Sequence, residues 1–354
     1  MQKERNISLD LIRTIAVISV ISVHFFLNSG FYMTPLSGKS MFISTVMRTA
    51  FMVCVPLFLL LTGYLMNKKE LSKKYYSGIK KTLFIYLFST IVMLIYMTHY
   101  KGMPITLKDA FKNILSYSQY SWYIAMYIGL FLLIPFLNLI YNNLKTKGQK
   151  RVLLITLFSI TILPTITNTA SFMILPTWWT SLYPVTYYFF GAYISEYKDE
   201  VKLPLWLNFI LILLAVFGFG AIKFFSQKGE FFTVTPTVDW YGYMTFFTSL
   251  LTFLFLARLK LEKIPNPIKM VISKISDLSL GIYLISWLFD DLYYPGLLEK
   301  IPTMPQRLPY FFLMVFVVFL SSFLVSYIIS LIYRFLYVLP KLLPNKKDKK
   351  GISL

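Results

Sequence analysis

From Ser8 to Asn28 the chain reads S-L-D-L-I-R-T-I-A-V-I-S-V-I-S-V-H-F-F-L-N, an apolar segment long enough to span a bilayer. Lipid offers a backbone no hydrogen bonds, so such a segment spans as a helix. It still carries Arg13 and His24, both ionisable, within its apolar run. Their spacing turns a helix by about 1,100°, which returns both side chains to one face within roughly 20° and separates them by about 16 Å. Ionisable groups inside membrane helices are costly and rarely face lipid, so the pair marks a functional site. The plainer alternative is a packing or snorkelling pair.

The rest of the composition agrees with a polytopic membrane protein. Of 354 residues, 57% are hydrophobic and 14% charged, far from the averages of soluble chains. The net charge of +20 is spread in short clusters between apolar runs, which is the pattern of loop topology and not of a nucleic-acid surface. A single cysteine, Cys54, excludes an internal disulfide and a cysteine-built metal site, and is assigned to helix packing. No metal is expected: the two histidines fall on different helices without a Glu-rich partner. Lys3 and Arg5 before an apolar run resemble a secretory signal. The run is long, however, and no small-residue cleavage site follows it, so it is read as a retained first helix.

Apolar runs bounded by Lys, Arg, Pro and Gly give ten candidate spans, at 9–29, 42–66, 82–98, 121–141, 152–170, 177–195, 203–223, 240–258, 275–293 and 309–335. The expected fold is an all-α integral membrane bundle of about ten transmembrane helices. It forms one transmembrane domain over 1–340, followed by a basic tail at 341–354. With the N-terminus cytoplasmic, the inside segments hold roughly three times as many Lys and Arg as the outside loops, which predicts both termini inside. The densest inside cluster comprises Lys68, Lys69, Lys73, Lys74, Lys80 and Lys81. It suits either an anionic ligand or an anchor to acidic lipid. The loop at 99–120 mixes Lys108, Asp109 and Lys112 with Phe111, Ile114 and Leu115, a spacing that predicts a short amphipathic helix on the membrane. His99 reads as interfacial, and Trp178 and Trp179 as an aromatic belt. No internal repeat is evident.

Orientation lets polar residues be compared by depth. His24 lies about 8 Å from the outer end of the first span and Arg48 about 9 Å from the outer end of the second. A guanidinium at that level helps keep an imidazole neutral, or holds an oxyanion or phosphate, unless it snorkels to headgroups. Ser286, Asp290 and Asp291 approach the same side in S-L-G-I-Y-L-I-S-W-L-F-D-D. One carboxylate would orient an imidazole or a sugar hydroxyl, or both are solvated at a loop entry. Asp10, three positions before Arg13, is expected to pair with it within the helix. Arg13, with Lys80 and Lys81, makes the inner end cationic.

The stretch L-D-L-I-R-T-I-A-V-I-S-V-I-S-V-H resembles the opening of the membrane-bound acyltransferase-3 family, with its L-D-x-L-R start and its Arg, ten residues, His pattern. R-T-A-F-M-V-C-V-P-L-F-L-L-L-T-G-Y-L at 48–65, S-W-Y-I-A-M-Y-I-G-L-F-L-L-I-P-F-L-N at 121–138, Y-F-F-G-A-Y-I at 188–194 and L-G-I-Y-L-I at 280–285 follow in the family's order. The resemblance implies transfer of an acyl group, usually acetyl, from cytoplasmic acyl-coenzyme A to a sugar hydroxyl at the outer face of a bacterial plasma membrane. It implies His24 as general base, with a transient acyl-histidine as the alternative. Arg13 and Arg48 would assist, and Arg13, Lys80 and Lys81 would hold the donor. Trp122, Tyr123, Ser286, Asp290 and Asp291 are expected at the acceptor. Two departures stand out: Ser286 occupies the place of a family histidine, and Gly78 and Lys81 occupy that of an Arg-x-x-Arg pair.

The expected partners are membrane lipid, acyl-coenzyme A and a glycan or lipid-linked sugar, with a homo-oligomer allowed and nucleic acid excluded. A competing function, export of a polysaccharide or lipid-linked sugar without acyl transfer, uses the same span count and polar core.

Overall fold

The structure, a computed structural model, describes residues 5–115, 121–169 and 171–338; the expected tail at 341–354 lies outside them. Helix α1 (Ile7–Asn28) begins where the Asn6 side chain accepts from the backbone N–H groups of Ser8 and Leu9, satisfying two donors of the first turn. It ends two residues before Gly30, whose left-handed φ of +85° turns the chain into a short 3-10 helix at Phe31–Met33. The apolar run expected as one span at 42–66 is two helices, α2 (Gly38–Phe51) and α3 (Cys54–Met66). The break at Met52 and Val53 follows from Pro56, which has no N–H and whose ring excludes the carbonyl four residues earlier.

Next come α4 (Lys73–Ser77) and α5 (Lys80–Ile95), which widens into a π-type turn at Tyr96–Tyr100. The amphipathic helix expected in the 99–120 loop is α6 (Leu107–Leu115). Thr106 Oγ1 donates to Asp109 Oδ2 at 2.6 Å and the Asp109 N–H returns to Thr106 Oγ1 at 3.2 Å, a reciprocal cap. Helices α7 (Trp122–Asn143), α8 (Lys147–Thr161), α9 (Pro164–Thr167), α10 (Tyr183–Tyr197) and α11 (Leu205–Ser226) follow. The chain continues through α12 (Tyr243–Ala257), α13 (Asn266–Lys300), α14 (Met304–Arg307) and α15 (Phe311–Tyr333). Among the described residues there is no strand beyond two isolated bridges.

Helices occupy each of the ten apolar runs, but among the described residues only seven helical stretches are long and apolar enough to cross a membrane. Helices α8 and α10 have 15 residues each, and α13, though 35 residues long, carries Asp277, Asp290, Asp291 and several serines through its apolar part. Exposed Phe209, Leu213, Leu214 and Phe217 on α11 would find no partner in water, so the solvent of this surface is lipid and the chain is a multi-pass membrane protein.

Helix α1 lies at the centre, flanked by α13 and α3, with α15, α12 and α2 completing its surround. Its Ile12, Ala16, Val17, Ile21, Phe25 and Phe26 are wholly buried. Helices α3 and α10 meet backbone to backbone. A Cβ on Gly63 would lie 1.8 Å from the Tyr188 carbonyl oxygen and one on Gly191 1.9 Å from that of Leu60, so only glycine permits the crossing.

Candidate active site

The His24 Nδ1–H donates to Asp290 Oδ2 at 2.7 Å, joining α1 to α13. Asp290 is 2% exposed, and among the described residues its other oxygen has no partner, so this carboxylate serves the imidazole alone. We assign the proton to Nδ1 because a carboxylate accepts; Nε2 is then the atom free to take another. Holding one ring nitrogen in this way fixes both tautomer and ring plane.

His24 borders a cavity of about 450 Å³ that also reaches Arg13, so the two residues that share a helix face share one chamber. Arg13 Nη1 donates to Ser276 Oγ at 3.1 Å. The expected Asp10–Arg13 pair does not form. Asp10 pairs instead with Arg5, accepts from Ser276 Oγ at 2.7 Å and accepts from Ser273 Oγ at 3.0 Å. Arg5, which also pairs with Asp277 at 2.9 Å, supplies the countercharge. Arg13 reaches Asp10 only through Ser276, and no carboxylate among the described residues pairs with it. Its charge remains available to the chamber.

Arg48 borders the same chamber. It is 2% exposed, donates from Nε to Tyr32 OH at 2.7 Å and lies 4.4 Å from the Phe232 ring centre, so it does not snorkel. A buried charge costs several kcal/mol. The ring contact returns about 0.5–2 kcal/mol. The remainder favours an anionic or electron-rich guest. Trp122 and Trp240 stack with ring centres 6.0 Å apart, and Tyr123 sits edge-on to Trp122; all three border the same cavity as Arg48. Flat apolar rings with polar groups at their edges suit one face of a sugar.

A family model described as an acyltransferase domain matches residues 6–331, nearly the whole described chain. The chain belongs to the acyltransferase-3 family. No curated protein and no solved structure matches it.

In this acyltransferase the expected residues separate into two groups. His24, Arg13, Arg48, Trp122 and Tyr123 line the cavity, and Asp290 supports it through His24. Ser286 does not reach it; its hydroxyl donates to the Tyr283 carbonyl one turn back. Asp291 turns the other way, accepting from Tyr96 OH at 2.7 Å and pairing with Lys101 at 2.9 Å. Lys80 and Lys81 are exposed and do not border the cavity, whereas the next residue, Thr82, does. Cys54, expected in packing, is buried and borders the cavity as well.

The sequence reading missed Tyr32, Asp239 and Trp240, all of which line the chamber of the acyltransferase. The Asp239–Trp240 pair follows Pro236 at the start of an apolar run, where aromatic residues are expected at a membrane boundary in any case.

Proposed function

We propose that this acyltransferase moves an acyl group, acetyl in the simplest case, from acyl-coenzyme A to a hydroxyl of an extracytoplasmic or lipid-linked glycan in a bacterial plasma membrane. The observation that supports the reading is that Arg13, His24 and Arg48 border one chamber. With the N-terminus inside, as the Lys and Arg bias favours, Arg13 faces the donor side. The helical rise of about 16 Å between Arg13 and His24 suits an extended pantetheine arm, with phosphates near the guanidinium and the thioester near the imidazole.

His24 Nε2 then takes the proton of the acceptor hydroxyl as its oxygen attacks the thioester carbonyl carbon. The C–S bond breaks, and the proton passes from the imidazolium to the coenzyme A sulfur. Ester and free thiol are the products. Asp290 stabilises the imidazolium, and Arg48 faces the oxyanion that develops on the carbonyl. The acceptor sugar lies against Trp122 and Trp240. The family match gives the exporter alternative no support.

The test is transfer of labelled acetyl from acetyl-coenzyme A to glycan in membranes carrying the protein. Transfer should fall by about 10²–10⁴-fold in His24→Ala. Full activity in a His24→Ala protein of normal gel-filtration profile would remove His24 as the base. Donor-independent passage of glycan with no acylated product would replace the whole reading.

A further inference from the structure

We propose that the Arg48 end of the cavity selects an acceptor bearing a negative charge, a phosphate or a carboxylate, with Arg48 as its contact and Lys223 as a second cation nearby. The reading of the chamber as an acyl-transfer site is needed only to call this ligand an acceptor. Lys223, on α11, is 4% exposed, and its Nζ donates to Thr235 Oγ1 at 3.2 Å. It lies 5.0 Å from the centre of the Phe232 ring that Arg48 approaches to 4.4 Å, so the two charges are at most about 9.4 Å apart, the sum of those distances; Arg48 borders the cavity and Lys223 stands behind that lining. Neither pairs with a carboxylate among the described residues.

Two like charges buried this close raise each other's cost, and hydroxyls and a ring face do not neutralise them. The arrangement is nevertheless held in place. Leu36 N–H donates to the Glu230 carbonyl at 2.8 Å and Gly229 N–H to the Leu36 carbonyl at 3.0 Å, pinning the segment that carries Phe232 against the turn that carries Tyr32. Among the described residues Asp239 is the one acidic residue bordering the cavity, its Oδ1 accepting the Trp240 N–H, against the two guanidinium groups of Arg13 and Arg48, so positive charge is in excess in the chamber. An incoming anion would supply the missing partner. The phosphates of a donor held at Arg13 lie at the other end of the chamber, which leaves the acceptor to bring the charge. The Trp122–Trp240 stack on the same cavity supplies the surface for its sugar ring.

The experiment measures binding without any acyl donor, on the full chain in nanodiscs. The probes are three disaccharides of one skeleton: cellobiose, its 6′-carboxylate and its 6′-phosphate. At low salt the two charged sugars should bind at least tenfold more tightly than cellobiose. The ratio should approach one in Arg48→Gln, narrow in Lys223→Gln and with added salt, and partly return in Arg48→Lys. Should Arg48→Gln fail to fold, Lys223→Gln carries the comparison. Equal binding of the three sugars, no binding at millimolar concentration, or a preference that survives both Gln variants would overturn the proposal. So would loss of the preference when phosphatidylglycerol replaces phosphatidylcholine in the discs at high enough salt to screen the surface, because the anion would then be an acidic lipid headgroup. A protein that prefers the charged sugars yet transfers no acyl group would keep this inference and lose the preceding one; transfer without charge preference would do the reverse.

Discussion

Asp290 receives the Nδ1–H of His24 at 2.7 Å across 266 positions of sequence, and nothing else among the described residues donates to that carboxylate. The pair predicts the effect of Asp290→Asn. An amide that donates to Nδ1 leaves the imidazole proton on Nε2, the wrong atom for a base. Acyl transfer should show a kcat lower by on the order of 10²–10⁴-fold, with KM for the donor little changed. Steady-state kinetics on purified protein would decide it, and an unchanged kcat would leave Asp290 a packing group.

Arg13 presents a charge without a carboxylate partner to the chamber. Arg13→Gln should raise KM for acetyl-coenzyme A by about tenfold or more, the loss expected when one charge-assisted contact to phosphate is removed. Acetyl-pantetheine, which lacks the nucleotide phosphates, should be used equally by both proteins. A matching defect with the short donor would show that Arg13 acts on folding or on the chemistry instead.

The glycine crossing of α3 and α10 gives a prediction about stability alone. Gly63→Ala and Gly191→Ala each drive a Cβ to within 2 Å of a carbonyl oxygen, and backbone cannot rotate away as a side chain does. Either should cost more than about 3 kcal/mol and lower the melting temperature or abolish the gel-filtration peak. Gly129→Ala, on α7, meets nothing within 4 Å and should be neutral or slightly stabilising. Equal behaviour of the three variants would contradict the close approach.

The cap of α6 makes a prediction about pH. Hydrogen bonds from the Thr106 hydroxyl and backbone N–H hold the Asp109 carboxyl below its ordinary value. A carboxylate with a depressed value contributes to folding above the ordinary carboxylate range and loses that contribution as pH falls through the folded value. The first turn of α6 should therefore loosen at acid pH, and Asp109→Asn should flatten the dependence. A spin label at Lys108 reports it; identical profiles for the two proteins would exclude the cap as the cause.

Arg13, His24 and Arg48 were legible in the sequence because the helical period alone sets their face and depth. Asp290 and Asp291 were not separable, since neighbours on a helix differ by about 100° and only packing against α1 decides which one turns inward. Asp10 shows the same limit. A partner three positions away looked sufficient until Arg5 and two serines of α13 came within reach. The break at Pro56 was visible as a residue, yet hydropathy averages over it. Lys223 stands at the edge of an apolar run, where hydropathy alone does not show its burial. Its burial depends on the path of residues 227–242, which is fixed by bonds to Leu36 far away in the chain.

Arg307 donates from Nη1 to the carbonyl of Ser29 at 2.7 Å and from Nε to that of Ile301 at 2.6 Å, fastening the residue after α1 to the residue after α13. Chains emerge from the ribosome at about 5–20 residues per second, so the 278 positions between Ser29 and Arg307 take roughly a quarter of a minute to a minute to synthesise. For that interval the first helix waits in the membrane with its histidine unsupported and its end unfastened. A nascent chain that stops short of Asp290 would already hold α1 to α12 and none of the histidine–aspartate pair, and α1 is completed only when α13 and α14 have arrived.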